Sequence, residues 1–379
     1  MATRVVVLGA GFGGLELSSR LSAELGDAVE ITLIDRADAF VFGFSKLDLM
    51  FGARTAEEIR VPYADLATPR VRFRQETVIA IDPGRRRVTT DLGTYDADFL
   101  VVALGADYDV PATPGLGELG HEFYSVPGAT ALRDVIAGFT AGAAVVGVCG
   151  APFKCPPAPS EAAFLLDASL RERGLRDDVT IHVAIPFHIP IPPSPATSEA
   201  ILERFAARGI AYLADRRVTS RAADHVVLDD GTELPSDLFL GIPVHRAPQV
   251  VVDAGLTDEG WIPVDQRTLA TRFDGVYAVG DVTSVGTPKA GVFAQDQATA
   301  VAEHLIARIR GDGDPRGYDG TGTCYVEFGG GEVARIDVDF FSTPGRPRGD
   351  FVPPSPQTAA EKASFASERI PRWFGVNGP

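Results

Sequence analysis

Cysteine is scarce in this chain, with three in 379 residues, and basic side chains are the minority: 35 Lys and Arg against 51 Asp and Glu, a net charge of −16. So few cysteines exclude a disulfide scaffold. The acidic balance argues against a nucleic-acid backbone or an anionic membrane as the main partner and leaves small molecules. No apolar run approaches the ~18 residues needed to cross a bilayer. The first strand-like segment, RVVVLGAG, begins at residue 4 with no charged, apolar and cleavage regions before it, so the expected location is cytoplasmic. There is no CxxC, and the six histidines form no ligand-spaced cluster with the cysteines, so no metal site is expected. In a reducing compartment, cysteines that do pair are expected to be redox-active.

The remaining composition, 45% hydrophobic and 23% charged, is that of a globular protein long enough for two or three domains. RVVVLGAGFGGLELSSRL reads as a buried strand, a glycine turn and an amphipathic helix, and VEITLID as a second strand ending in Asp35: a βαβ unit. RRRVTTDLGTYDADFLVVALGA and DHVVLDDGTELPSDLFLGIPV share one layout of strand, Gly-containing turn, short strand and apolar strand, ending in Gly105 or Gly241. The expected fold is α/β, with two Rossmann-like three-layer domains and a C-terminal α+β segment. The first domain is discontinuous (residues 1–112 and 244–312), the second is residues 113–243, and residues 313–379 form the remainder. GDGDPRGYDGTG marks a linker into that remainder. It reads as two strands, TCYVEF and VARIDVDF, a Pro-rich stretch, and a terminal helix near residues 357–369.

Gly9, Gly11 and Gly14 fit G-x-G-x-x-G between strand and helix. The first makes the tight turn, the second admits a pyrophosphate to the backbone, and the third lets helix and strand pack closely. The helix N-terminus offers unpaired N–H groups to phosphates, and Asp35 stands where a carboxylate accepts hydrogen bonds from a ribose diol. LVVALGA, with Ala103 and Gly105, and VYAVGDV, with Gly280 and Asp281, resemble the two further flavin fingerprints of the FAD-dependent pyridine-nucleotide-disulfide reductase superfamily. The resemblance implies FAD, with Asp281 on the ribityl chain or nearby phosphate. Where that superfamily carries a second glycine motif for NAD(P)H, this chain has GVCGAPFKC, so NAD(P)H is not expected as a regular substrate.

KCPPAPSE (residues 154–161), PKAGVFAQDQA and GTCYVEFG together resemble the sulfide:quinone oxidoreductase and flavocytochrome c sulfide dehydrogenase family, over roughly residues 4 to 340. The resemblance implies a redox pair, Cys155 and Cys324, beside the isoalloxazine ring. Hydrosulfide would attack their disulfide, leaving a persulfide on one cysteine and a thiolate on the other, and two electrons would pass to FAD and on to a quinone or other acceptor. The three prolines predict a rigid, non-helical loop after Cys155. Glu161 is the nearest proton acceptor in sequence, although a helix starting at Ser160 would equally place it as a first-turn carboxylate stabilised by the helix dipole. His188 is a weaker candidate base. Lys289 would place a cation at the flavin pyrimidine end. Cys149 reads as a small buried hydrophobe.

Some members attach FAD through a cysteine near residue 40. DAFVFGFSKLD has none, so FAD is expected to be non-covalent. The third cysteine that many bacterial members carry about thirty residues before the proline loop is also missing. The tail mixes charges of both signs among Phe365, Ile370, Trp373 and Phe374, so peripheral membrane contact and docking on the flavin domain both stay open. A homo-oligomer is compatible with the sequence. Two other readings stay open as well: a flavin enzyme for an organic thiol, persulfide or other sulfur compound with another acceptor, and a non-catalytic flavin redox sensor.

Overall fold

The first glycine turn gets its place from a parallel sheet buried on both faces, which is why Val5–Leu8 is a continuous apolar run. In the computed structural model, which describes residues 2–375, the strand Thr3–Leu8 lies at the centre of this sheet. The strand order is Val276–Ala278, Phe99–Val102, Thr3–Leu8, Val29–Asp35, Val71–Gln75, all parallel. The helices Phe12–Leu25 and Gly291–Arg310 pack on one another over this sheet. Leu15, Leu17, Leu21, Val301 and Leu305 are turned into the shared core.

A second parallel sheet has the order His121–Glu122, Leu238–Ile242, Gly142–Val148, Val179–Ile185, Ile210–Ala214. Each sheet is accompanied by a three-stranded antiparallel ribbon, Val78–Asp82 with Arg87–Thr90 and Thr94–Asp96, or Val218–Arg221 with His225–Leu228 and Glu233–Pro235. The shared layout in the sequence thus corresponds to repeated structure, with the apolar strands ending at Val102 and Ile242, before and after the expected glycines. The chain leaves the first sheet and returns to it side by side: Asp107–Asp109 pairs antiparallel with Val244–Arg246.

Three elements differ from expectation, two in the third unit and one in the second. A third strand, Arg348–Val352, joins Thr321–Glu327 and Val333–Asp339 in the segment read as Pro-rich, because its prolines flank the strand instead of interrupting it. The terminal helix spans Pro356–Phe374, five residues past its expected end. Its last turn is held by tertiary contacts: Ile370, Trp373 and Phe374 are buried against the first unit, and the carbonyls of Arg372, Trp373 and Phe374 accept from Ser19, Thr68 and Ala67. Burying Phe374 alone contributes ~1.5–3 kcal/mol. Lastly, the helix following Cys155 begins at Ala158, inside the proline stretch. Pro159 lies in its first turn, where a missing N–H costs nothing.

Among the described residues no helix is long and apolar enough to cross a membrane. The aromatic side of the terminal helix that could have met a membrane is turned inward. Its anchor is Glu16, fully buried, whose carboxylate accepts from Arg20, Arg372 and the Trp373 indole.

Candidate active site

Gly9 has φ +98°, and a Cβ there would overlap the carbonyl of Ala103, while a Cβ at Gly14 would overlap the carbonyl oxygen of Gly9. Helix, turn and neighbouring strand therefore meet at backbone distance. Gly11, by contrast, has open space in front of it and faces a cavity of about 510 Å³. The lining includes Gly9, Gly11, Asp35, Ala103, Gly105, Gly280 and Asp281, so three sequence-distant fingerprints converge. The helices Phe12–Leu25 and Gly291–Arg310 both present their N-terminal residues to it, adding partial positive charge.

Asp35 is more occupied than the sequence suggested. Its two oxygens accept from the amides of Ala10 (2.7 Å) and Ala37 (2.8 Å), so it also shapes the glycine turn, and each oxygen keeps a lone pair for a ribose hydroxyl. Tyr63, which the sequence did not single out, donates its hydroxyl to the Ala10 carbonyl from the opposite side. One oxygen of Asp281 is buried without any partner on the cavity wall, which fits a hydroxyl-bearing chain that would donate to it. The residues present thus fit FAD: a pyrophosphate cradle, a ribose carboxylate and an unsatisfied acceptor along one cavity.

Lys289 departs from its expected place. Its ammonium donates to the carbonyls of Asp281 (2.5 Å) and Thr283 (3.1 Å) and lies 3.3 Å from the centroid of the Trp261 ring, away from the cavity. Ala290, Gly291 and Val292 line the cavity at the start of the helix, whereas the Lys289 side chain is held elsewhere by two carbonyls and an aromatic face. The backbone of Lys289 does reach the site, because its carbonyl accepts from the amide of Cys155 at 2.8 Å. The lysine whose side chain lines the cavity there is Lys154.

Cys155 and Cys324 line the same cavity, and both are free thiols in this structure. Cys155 holds φ +52°, an uncommon conformation for a residue with a side chain. Cys324 comes from the strand Thr321–Glu327. Burial pushes both thiols up, that of Cys324 to about 12, and the Glu161 carboxylate adds to the shift in each case. Cys149 stands apart in an apolar cluster with Leu116, Val145 and Phe239, its thiol pushed up to about 12 by burial. His188 is also outside, exposed and 3.1 Å from Asp215.

Glu161 is 3% exposed and lines the cavity. Its carboxylate accepts from the Glu327 amide at 3.0 Å and lies 3.5 Å from the Lys362 ammonium, which in turn holds the Glu327 carboxylate at 2.5 Å. Burial raises the Glu161 carboxyl above the usual range, and Lys362 opposes that shift. In the sequence Lys362 is only one of the mixed charges of the tail, because nothing near residue 362 resembles a motif; the docking of the terminal helix brings it 201 positions back to Glu161. Phe40, Phe44, Leu47, Tyr325 and Phe365 add apolar and aromatic surface to the same lining.

The second glycine motif of the superfamily has no counterpart at the corresponding turn of the second sheet. After Gly142–Val148 the chain turns through Phe153, which is buried and stacks on Phe187 at 5.8 Å.

A family model described as pyridine nucleotide-disulphide oxidoreductase matches residues 3–298. The chain is 29% identical over 368 residues to the sulfide-quinone reductase of Aquifex aeolicus, covering 87% of this chain and 82% of that protein. It is 24% identical over 363 residues to the mitochondrial sulfide:quinone oxidoreductase of Mus musculus, covering 90% and 79%. The crystal structure of the sulfide:quinone oxidoreductase from Aquifex aeolicus superposes with a TM-score of 0.87 at 24% identity, over 100% of this chain and 93% of that one.

Proposed function

The chain belongs to the pyridine nucleotide-disulphide oxidoreductase family, and from that premise we propose that it is an FAD-dependent oxidoreductase that takes two electrons from sulfide, or a small thiol or persulfide, and passes them to a quinone. The observation that carries the reading is that Cys155, Cys324 and Glu161 line one cavity with the three nucleotide-binding fingerprints.

FAD would be held by the glycine turn, Asp35 and Asp281, and it supplies a two-electron acceptor that can be re-oxidised by a second substrate. The protein's own residues do the sulfur chemistry. In the oxidised enzyme Cys155 and Cys324 form a disulfide; hydrosulfide attacks one sulfur, a new S–S bond forms, the old one breaks, and the electron pair leaves on the other cysteine as a thiolate. The sulfide sulfur is oxidised and becomes the outer atom of a persulfide. Its proton passes to Glu161. This transfer suits the site because burial already disfavours a thiolate and the charged Glu161 carboxylate adds to that, so neutralising the carboxylate removes part of the penalty. Lys362 sets one positive charge beside Glu161 and offsets part of the negative charge on the carboxylate and the sulfurs. A second sulfur nucleophile then attacks the outer sulfur, the persulfide S–S bond breaks and both cysteines are left as thiolates; bound FAD would supply the acceptor for their electron pair, and the two sulfurs close the disulfide again.

The apolar part of the lining supports a quinone as acceptor: Phe44 and Phe365, edge to face at 5.7 Å, and Tyr325 offer aromatic surface for a ring. Anaerobic mixing of the oxidised enzyme with sulfide, followed by a short-chain quinone, tests both halves. Sulfide should bleach the flavin band and the quinone should restore it. Bleaching by an organic thiol but not by sulfide would move the substrate to the organic class, and absence of both would leave a redox sensor.

A further inference from the structure

Four cationic side chains line the cavity: Arg36, Lys46, Lys154 and Lys362. Arg36 is largely exposed and paired with Asp107, and Lys362 is held between two carboxylates. Lys154 is different because both its backbone and its ammonium are fixed while its charge is only loosely balanced. Its N–H donates to His245 Nε2 at 3.4 Å, and its carbonyl accepts from the Tyr124 hydroxyl at 2.8 Å. His245 is buried, its Nδ1 faces the Pro243 carbonyl at 2.8 Å, and burial holds the ring neutral by lowering its pKa to about 3. Tyr108, Tyr124 and His245 meet edge to face around this peptide.

The ammonium of Lys154 donates to the Ala106 carbonyl at 3.0 Å and to the Tyr108 hydroxyl at 3.2 Å, with the nearest carboxylate, Asp281, 3.9 Å away. It therefore lies between the second fingerprint, which ends at Ala106, and the third, which contains Asp281. The next residue is Cys155, whose positive φ turns the chain so that two successive side chains face one cavity.

We infer that Lys154, not Lys289, is the fixed cation that the protein presents to FAD, raising the flavin's affinity for electrons and for anionic nucleophiles. Two-electron reduction puts negative charge into the ring, and a preorganised cation in a water-poor site stabilises that charge without having to reorganise. Tyr108 and Asp281 hold the Lys154 ammonium in its charged form against its burial, whereas burial lowers Lys289 to about 8. The same peptide that sets Cys155 thus sets the electron affinity of the cofactor, so thiol and flavin are tuned by one rigid segment. This inference rests only on FAD occupying the cavity and not on which sulfur compound or acceptor is used.

Sulfite is the probe: it adds reversibly to oxidised flavin, placing an electron pair in the ring as negative charge and bleaching the visible band. Flavin content is measured first, so a wild-type protein without FAD would refute the cofactor reading itself. In the FAD-loaded proteins, Lys154→Met should weaken sulfite binding at least ~10-fold and lower the two-electron midpoint potential, where a tenfold change is ~30 mV. Lys154→Arg should recover most of both, and Lys289→Met should leave both unchanged. Tyr108→Phe, which removes one hydroxyl from the ammonium, should give a smaller loss in the same direction and serves where Lys154→Met fails to load FAD. Wild-type sulfite affinity and potential in loaded Lys154→Met, or in Tyr108→Phe where the former cannot be loaded, would overturn the inference. So would a larger loss in Lys289→Met or Lys46→Met.

Discussion

Replacing Lys362 by Met removes the cation that faces Glu161 without touching a cysteine or the nucleotide site. The ammonium lies 3.5 Å from the carboxylate, and at an effective dielectric constant of 20 this attraction is ~5 kcal/mol. At about 1.36 kcal/mol per pH unit, complete loss would raise the Glu161 carboxyl by ~3.5 units. Protonation of Glu327, which shares the same ammonium at 2.5 Å, and local relaxation should cut this to ~1–2 units. Glu161 already lies above the usual carboxyl range through burial, so the shift adds to an existing one. As a proton acceptor Glu161 works only when ionised, and the rate of sulfide-driven flavin reduction should therefore rise with pH along a limb moved upward by ~1–2 units in Lys362→Met. On the acid side of both limbs the variant should be ~10–100-fold slower. Anaerobic stopped-flow absorbance, with the hydrosulfide concentration held constant at each pH, reads this directly. Lys362→Arg should restore the position of the limb, and Glu161→Gln should abolish the limb altogether. Stability changes with the same sign. A carboxyl raised in the folded state binds more protons folded than unfolded, so its contribution is present below the unfolded pKa and lost as pH rises through the folded one. The melting temperature of Lys362→Met, relative to wild type, should consequently fall as pH rises through that window. An unshifted limb in Lys362→Met, or one moved to lower pH, would refute the electrostatic coupling of Lys362 to Glu161.

Three further outcomes follow from the same geometry. Cys155→Ser and Cys324→Ser should each abolish flavin reduction by sulfide, with no further loss in the double variant, because residues that form one disulfide act as a unit; Cys149→Ser, in its separate apolar cluster, should keep most of the rate, and equal losses in Cys149→Ser and Cys155→Ser with Cys324→Ser unaffected would point to a different pair. Acid precipitation should release FAD into the supernatant, since no cysteine occurs near residue 40; flavin remaining on the polypeptide contradicts this. NADH and NADPH should reduce the flavin slowly or not at all, because Phe153 fills the turn of the second sheet; rapid anaerobic bleaching by either nucleotide would show an open route.

How much of this was legible in the sequence depended on how local the physics is. The strand, glycine turn and helix around Gly9, Gly11 and Gly14 follow from buried apolar runs and from backbone contacts that tolerate no Cβ, and these leave marks within a few residues of one another. Repetition of the ribbon layout revealed two similar units for the same reason. Proline chemistry was only half informative: it marked a rigid segment after Cys155, but a helix begins at Ala158 because the first turn needs none of the N–H groups that proline lacks. The ends of elements that tertiary contacts decide were misplaced, most clearly in the terminal helix, whose last turn exists because Trp373 finds a buried place beside Glu16 and Phe374 one against Tyr63.

Side-chain direction and long-range charge pairing belonged to the tertiary structure alone. Lys289 lies in a motif that pointed to the flavin, yet the carbonyls of Asp281 and Thr283 and the face of Trp261 hold its ammonium outside the cavity. Lys154 was quoted beside Cys155 without a role, and only a positive φ at Cys155 brings both side chains to one cavity. Cys155 and Cys324 could be paired in the sequence by resemblance, but nothing in their 169-residue separation could show that Glu161 from one unit and Lys362 from the terminal helix meet beside them. A sequence pattern records what each residue requires of its near neighbours; the charge that balances a buried carboxylate is supplied by whichever segment the fold delivers, and here that is the last helix of the chain.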